Sequence, residues 1–266
     1  MRLKDKVAIV TGGGMGIGKA IALVFASEGA AVVVAARTLS RLEEVAEDIK
    51  SRGGKAKAIQ TDISDQKQVQ RMVAQTIDEY GHIDILVNNS AAPPTPDVNV
   101  VDMILDDWNR TLAVNLTGTM LCCKEVLKRM IPRKTGNIIN ISSVAGISGH
   151  PTRSSYAVSK WGVIGLTETL AIEVGVHNIR VNCISPAATG TERFKNALRG
   201  RAKVLGISYE ELLNKMTSQY SLGRIAEPSE MATVALFLAS DDSSAITGQN
   251  LVVSCGLHIT QPQEIR

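Results

Sequence analysis

A chain of 266 residues, 44% of them hydrophobic and with a formal net charge of +3, carries enough apolar side chain for one full core. Its basic excess is spread along the chain and only 3% of residues are aromatic, so neither a phosphate-binding stripe nor base-stacking platforms are expected and nucleic acid is not the expected partner. Lys4, Asp5 and Lys6 precede an apolar run, Val7–Val10, that is too short for a secretory core or a membrane span. A cytoplasmic protein with no membrane partner is expected.

Short runs rich in Val and Ile read as strands at Val7–Val10, Ala31–Ala35, Ala56–Ile59, Ile83–Val87, Asn137–Ile141, Ile179–Cys183 and Asn250–Val253. Between them, Gly16–Glu28, Leu39–Lys50, Asp65–Tyr80, Trp108–Arg129, Tyr156–Val174 and Ser229–Ala239 place apolar residues at three- and four-residue intervals and read as helices. This alternation predicts an α/β fold, a doubly wound seven-stranded parallel sheet with helices on both faces, built as a single domain over residues 1–266. Two segments break the pattern: Ala91–Leu105, with Pro93, Pro94 and Pro96, and an insertion at about 187–225. Both follow the carboxyl ends of strands, where open α/β sheets bind ligands, so they are expected to cover the substrate.

Cys122, Cys123, Cys183 and Cys255 lack metal-ligand spacing, and the adjacent pair is badly placed to bridge, so buried reduced thiols are expected. His82, His150, His177 and His258 are scattered, and no metal is expected.

Directly after the first strand comes Thr11-Gly12-Gly13-Gly14-Met15-Gly16-Ile17-Gly18, and then a helix. Glycines permit positive φ and close backbone approach, so a diphosphate can rest against the free amides of a helix start. The spacing is TGxxxGxG rather than GxGxxG, but strand, turn and helix follow in the order that dinucleotide binding requires. The second strand ends in Ala35-Ala36-Arg37-Thr38. A carboxylate there would accept from the ribose hydroxyls of NAD, whereas Arg37 beside Ala36 suits the 2′-phosphate of NADP. NADP(H) is therefore favoured and NAD(H) remains possible.

Tyr156 and Lys160 are four residues apart near a helix start and share one face. A phenol titrates near 10 and is a poor base at neutral pH, but an ammonium beside it favours the phenolate. Tyr156 can then pass a proton to or from a substrate oxygen while hydride moves at the adjacent carbon. Ser143, just beyond the fifth strand, adds a hydroxyl at the same sheet edge.

These residues, in this order over nearly the whole chain, resemble a short-chain dehydrogenase/reductase, whose domain is a Rossmann fold. The resemblance implies a catalytic tetrad of Asn115, Ser143, Tyr156 and Lys160, with Asn115 holding a water in the proton relay and Lys160 also bonding the nicotinamide ribose. The thirteen-residue gap from Ser143 to Tyr156 selects Ser143 over Ser142. It implies cofactor contacts from Gly12, Gly14, Gly16, Ile17, Gly18, Arg37, Asp62, Ile63, Asn89, Tyr156, Lys160, Pro186 and Thr191, and a homotetramer. Asn88-Asn89 match the motif after the fourth strand. Met15 occupies the position where some NADP-using relatives carry a second basic group. Three positions depart from the pattern: Ser90 and Cys255 are small-for-small changes, while Ala187 replaces a glycine beside the nicotinamide and is expected to be the disturbing one if that position needs positive φ.

Competing classes are a catalytically silent cofactor sensor, disfavoured by the complete tetrad, and a carrier- or nucleic-acid-docking protein using Arg193, Lys195, Arg199, Arg201 and Lys203, which read better as a solvated helix face. Within the enzyme class, a 3-oxoacyl-carrier-protein reductase is one possibility, though His177 stands where those reductases typically carry Arg. The expected partner is a small carbonyl or alcohol. A homotetramer, or at least a dimer, is expected to be built on the Trp108–Arg129 and Tyr156–Val174 helices, where the small side chains of Ala157, Gly162 and Gly165 permit close helix contact.

Overall fold

The computed structural model describes residues 1–92 and 97–257 and turns every one of the seven apolar runs into a strand. These are β1 (Val7–Thr11), β2 (Ala31–Ala36), β3 (Lys55–Gln60), β4 (Ile85–Asn88), β5 (Gly136–Ile141), β6 (Ile179–Pro186) and β7 (Asn250–Val253). All pair in parallel in the order β3-β2-β1-β4-β5-β6-β7. The central runs are apolar at consecutive positions because both faces are covered. Val10 and Val34 go to one core, with residues from α1 (Gly16–Ser27), α2 (Leu39–Ser51) and α9 (Pro228–Ala239). Ile9 and Val33 go to the other, with α3 (Gln66–Tyr80), α5 (Thr119–Arg133) and α6 (Ser154–Gly175).

Chain order runs outward from β1 to β3 on one side and from β4 to β7 on the other, so the direction of winding reverses between β1 and β4. Crossover helices leave in opposite directions there and open a crevice at the carboxyl ends of the strands. The glycine-rich turn after β1 and Asn88-Asn89 at the end of β4 meet at that point.

Two expectations need revision. The single helix predicted over Trp108–Arg129 is α4 (Leu105–Leu112), a π-helical turn at Ala113–Gly118, and α5. Gly118 lies so close to Ile63 that a Cβ would come within 2.8 Å of its Cγ1, and the widened turn passes Ile63 at that point. The insertion, read from the sequence as irregular, is mostly helical: α7 (Glu192–Leu205) and α8 (Tyr209–Thr217). Their caps were visible in the sequence, since Thr191 and Ser208 accept from the amides of Phe194 at 3.2 Å and Glu211 at 3.0 Å. Pro93, Pro94, Pro96 and His258 lie outside the described residues. Among those described, no helix is long and apolar enough to cross a membrane and no cluster of metal-ligating side chains forms.

Candidate active site

The glycine-rich turn is shaped by lack of room. Gly12, at φ +66°, donates its amide to the Ala35 carbonyl at 2.7 Å. Asn89 clamps the turn from β4, its Nδ2 donating to the carbonyls of Thr11 at 3.1 Å and Gly12 at 3.2 Å. The Thr11 hydroxyl accepts from the Asn89 and Ser90 amides at 3.0 and 3.1 Å. A Cβ on Gly18 would run into the Gly12 carbonyl and the Asn89 amide, and one on Gly12 would stand 2.8 Å from Asn89 Nδ2. Gly16, at φ +55°, opens α1, and half-buried Ile17 follows it. Gly14 is less constrained, its nearest neighbour being the Arg41 Cβ at 3.2 Å. Met15 provides no side-chain cap and the first turn of α1 carries no acid, so its amides face the crevice with nothing anionic against them. This cradle fits the diphosphate of a dinucleotide.

At the end of β2, Arg37 is exposed and its carbonyl accepts from Gln60 Nε2 at 2.9 Å. Met15 fills the usual place of a second basic group, but the fold supplies one from elsewhere. Arg41, in the first turn of α2, lies over the turn with Nη1 3.2 Å from Met15 Sδ. Beyond β3, Asp62 is held by Ser64, whose amide and hydroxyl donate to Oδ1 at 2.9 and 2.6 Å. Ile63 is buried against Gly118.

On the other side of the crevice, α6 is bolted to the end of β5. The buried Lys160 donates its Nζ to the Ile141 carbonyl at 2.8 Å, and the Lys160 carbonyl accepts from Ser142 Oγ at 2.8 Å. Ser143 is the next residue, and its Oγ accepts from the Ala145 amide at 3.2 Å. The Lys160 ammonium lies 5.7 Å from the centroid of the Tyr156 ring. Asn115, inside the π-helical turn, joins three segments: Oδ1 accepts from the Ala92 amide at 2.8 Å and Nδ2 donates to Ser159 Oγ at 3.0 Å, while Ser159 donates to the Tyr156 carbonyl at 2.7 Å. Ser159 carried no signal in the sequence. With the Asn115 side chain committed to this brace, a water would have to be held by its carbonyl, which accepts from the Thr119 hydroxyl at 2.8 Å.

The insertion closes over the same edge. Pro186 ends β6. Thr191, as N-cap of α7, rests on the glycine-rich turn, its Cγ2 3.2 Å from where a Gly16 Cβ would be. Arg193 reaches the Ala92 carbonyl at 3.4 Å. Arg193, Lys195, Arg199, Arg201 and Lys203 all lie on α7, where Lys195 faces Glu192 at 3.8 Å and Arg199 stacks 5.5 Å from the Tyr209 ring. Ala187 is not among the residues with positive φ, so its Cβ brings no backbone strain, whereas Cys255 sits at φ +51°. The strained departure from the family pattern is thus Cys255, one of the two read as small-for-small changes. Cys255 is also only partly buried, unlike Cys122, Cys123 and Cys183. Burial pushes the Cys123 and Cys183 thiols up to about 12 and about 11.

Residues 12–258 match the family model described as enoyl-(acyl carrier protein) reductase. The chain belongs to the short-chain dehydrogenase/reductase family. It is accordingly an oxidoreductase that interconverts carbonyl and alcohol with NAD(P). Among curated relatives it is 38% identical over 259 residues to the 3-oxoacyl-[acyl-carrier-protein] reductase FabG of Thermotoga maritima, covering 97% of this chain and 100% of that one. It also resembles the crystal structure of NAD+-bound xylitol dehydrogenase, with a TM-score of 0.89 and 33% identity over 95% of this chain and 99% of the other. A third match is a single-residue variant of actinorhodin polyketide ketoreductase with NADPH, at a TM-score of 0.90 and 32% identity over 96% of this chain and 97% of the other.

Proposed function

We propose that the chain moves hydride between NADP(H) and a carbonyl or secondary alcohol, with Tyr156 as the general acid and base. The observation that carries this reading is the buried Lys160 ammonium, fixed to the end of β5 two residues before Ser143 and lying against the Tyr156 ring. The bound nicotinamide supplies or receives the hydride. During reduction Tyr156 gives its hydroxyl proton to the oxygen that hydride addition leaves negative, and in oxidation it takes that proton back. Ser143 donates to the same oxygen and holds it in place. One proton of the Lys160 ammonium is engaged at Ile141, and the others would be available to the phenolate and to the nicotinamide ribose. Gly12, Gly14, Gly16, Ile17 and Gly18 would hold the diphosphate, Asp62 and Ile63 the adenine end, and Pro186 and Thr191 the carboxamide, with Asn89 fixing the turn.

Arg37 and Arg41 together carry the NADP preference. Two guanidiniums at the end of β2 and the start of α2, with Ala36 in place of an acid, offer the 2′-phosphate paired charge-assisted hydrogen bonds. A homotetramer is proposed through α6, where exposed Val158, Trp161 and Ile172 share one stripe with Gly165. Gly162 and Ala157 are not available to it, because Gly162 already faces Leu116 of the same chain and Ala157 is buried.

The test is Tyr156→Phe on a panel of neutral ketones with NADPH. Turnover should fall about a hundred- to ten-thousand-fold while the NADPH dissociation constant stays within about threefold of the parent. Near-parental turnover would assign the proton to another group.

A further inference from the structure

We infer that the substrate of this site bears an oxyanion, a carboxylate or a phosphate, and that Arg153 binds it; this rests on the reading of Tyr156 just given. Arg153 immediately precedes α6, and its guanidinium carbon lies 4.7 Å from the centroid of the Tyr156 ring. The tyrosine ring is therefore flanked by two cations, Lys160 being the other. Lys160 is buried and tied to β5, but the Arg153 side chain is 43% exposed. Its only ion pair among the described residues is to Asp97, through Nε at 3.6 Å, and Asp97 is itself 65% exposed. An exposed pair at that distance adds little to stability, and among the described residues the two terminal nitrogens have no other partner. Those nitrogens form the fork that recognises a carboxylate or phosphate by two parallel hydrogen bonds.

A second observation points to a ligand in the same place. Five buried side-chain polar atoms have no hydrogen-bond partner among the described residues, and three of them, His150 Nδ1, Ser154 Oγ and Ser155 Oγ, flank Arg153. Ser155 is 1% exposed. Buried polar atoms normally find partners, so three unpartnered ones within three residues of Arg153 mark this stretch as polar and not satisfied from within the described residues. The segment is not loose. Thr152 accepts from the Val98 amide at 3.0 Å and holds φ +65°, an outlying conformation for a β-branched residue that its neighbours must enforce. The backbone thus presents Arg153, polar side chains and Tyr156 in one rigid stretch at the mouth of the crevice.

The experiment compares matched anionic and neutral substrates. One arm sets 3-oxo acids of four to eight carbons against their methyl esters, and the other sets dihydroxyacetone phosphate against dihydroxyacetone, reading kcat/KM with NADPH. In one arm the anion should be favoured at least roughly tenfold, as one charge-assisted pair provides, and that arm names the anion. Arg153→Gln should bring the ratio of anion to neutral close to one, mainly through KM. Arg153→Lys should retain part of the ratio, and Asp97→Asn, which removes a competing carboxylate, should raise it. NADPH binding reports that each variant is folded. Equal use of anion and neutral in both arms overturns the inference, as does a ratio that survives Arg153→Gln. If Arg153 acted only by tuning Tyr156, both rates would fall together and the ratio would not move, which also overturns it. Failure of every compound in both arms overturns it too, whereas the oxidoreductase reading is judged separately on the neutral ketone panel.

Discussion

The two walls of the crevice are built on different principles. On the cofactor wall, the turn after β1 is defined by what cannot be there: a Cβ on Gly18 has no space, Gly12 and Gly16 need positive φ, and Asn89 holds the carbonyls that result. On the substrate wall, side chains from remote parts of the chain are assembled by hydrogen bonds. Asn115 joins Ala92 to Ser159, Lys160 reaches Ile141, and Arg193 returns to Ala92. A wall defined by backbone sterics can change little. A wall made of side-chain links can change its substrate while keeping its frame.

If this contrast is right, substitutions on the cofactor wall should act through fit. Gly18→Ala should give the largest effect of this kind, lowering NADPH affinity by about a hundredfold or preventing stable folding, because the added carbon meets backbone. Gly14→Ala meets the Arg41 Cβ at 3.2 Å and the Leu42 Cδ2 at 3.4 Å and should cost less than about tenfold, both read by titrating cofactor fluorescence. Equal losses would break the comparison.

Cofactor choice should shift by about ten- to a hundredfold, since it depends on charge at the rim rather than on backbone room. Arg37→Ala and Arg41→Ala should each lower the NADPH to NADH ratio of catalytic efficiencies, the double variant more than either. Ala36→Asp should reverse it by repelling the phosphate. A parent that prefers NADH, or an Arg41→Ala ratio unchanged within about threefold, would leave Arg41 as a neighbour of Met15 and nothing more.

The smallest effects concern the two departures at the edge of the site. Cys255→Gly should raise stability by up to roughly 1 kcal/mol, because it relieves a left-handed residue. Ala187→Gly should lower it by about 0.4–1 kcal/mol, because it adds freedom to the unfolded chain where the native φ needs no glycine. Urea midpoints at constant slope would show the opposite signs.

The strands, their count and the glycine-rich turn were legible because each rests on a local rule: consecutive Val and Ile suit a strand covered on both faces, and glycine is the residue that tolerates φ near +60°. Spacing could put Tyr156 and Lys160 on one helix face and a serine hydroxyl at a strand end, and the family resemblance then singled out Ser143 and joined the three. What the sequence could not yield are relations between residues far apart in the chain. The π-helical turn at Ala113–Gly118 depends on how closely Gly118 approaches Ile63, and Arg41 comes over Met15 only after α2 packs beside the turn. Arg153 lies over Tyr156 because of the path of the preceding loop. The difference between Ala187 and Cys255 is a matter of φ, which a residue name does not disclose. Local propensity and periodicity determined the elements and the chemistry they carry. Packing, a property of pairs brought together across the whole chain, decided which charges surround the reacting groups.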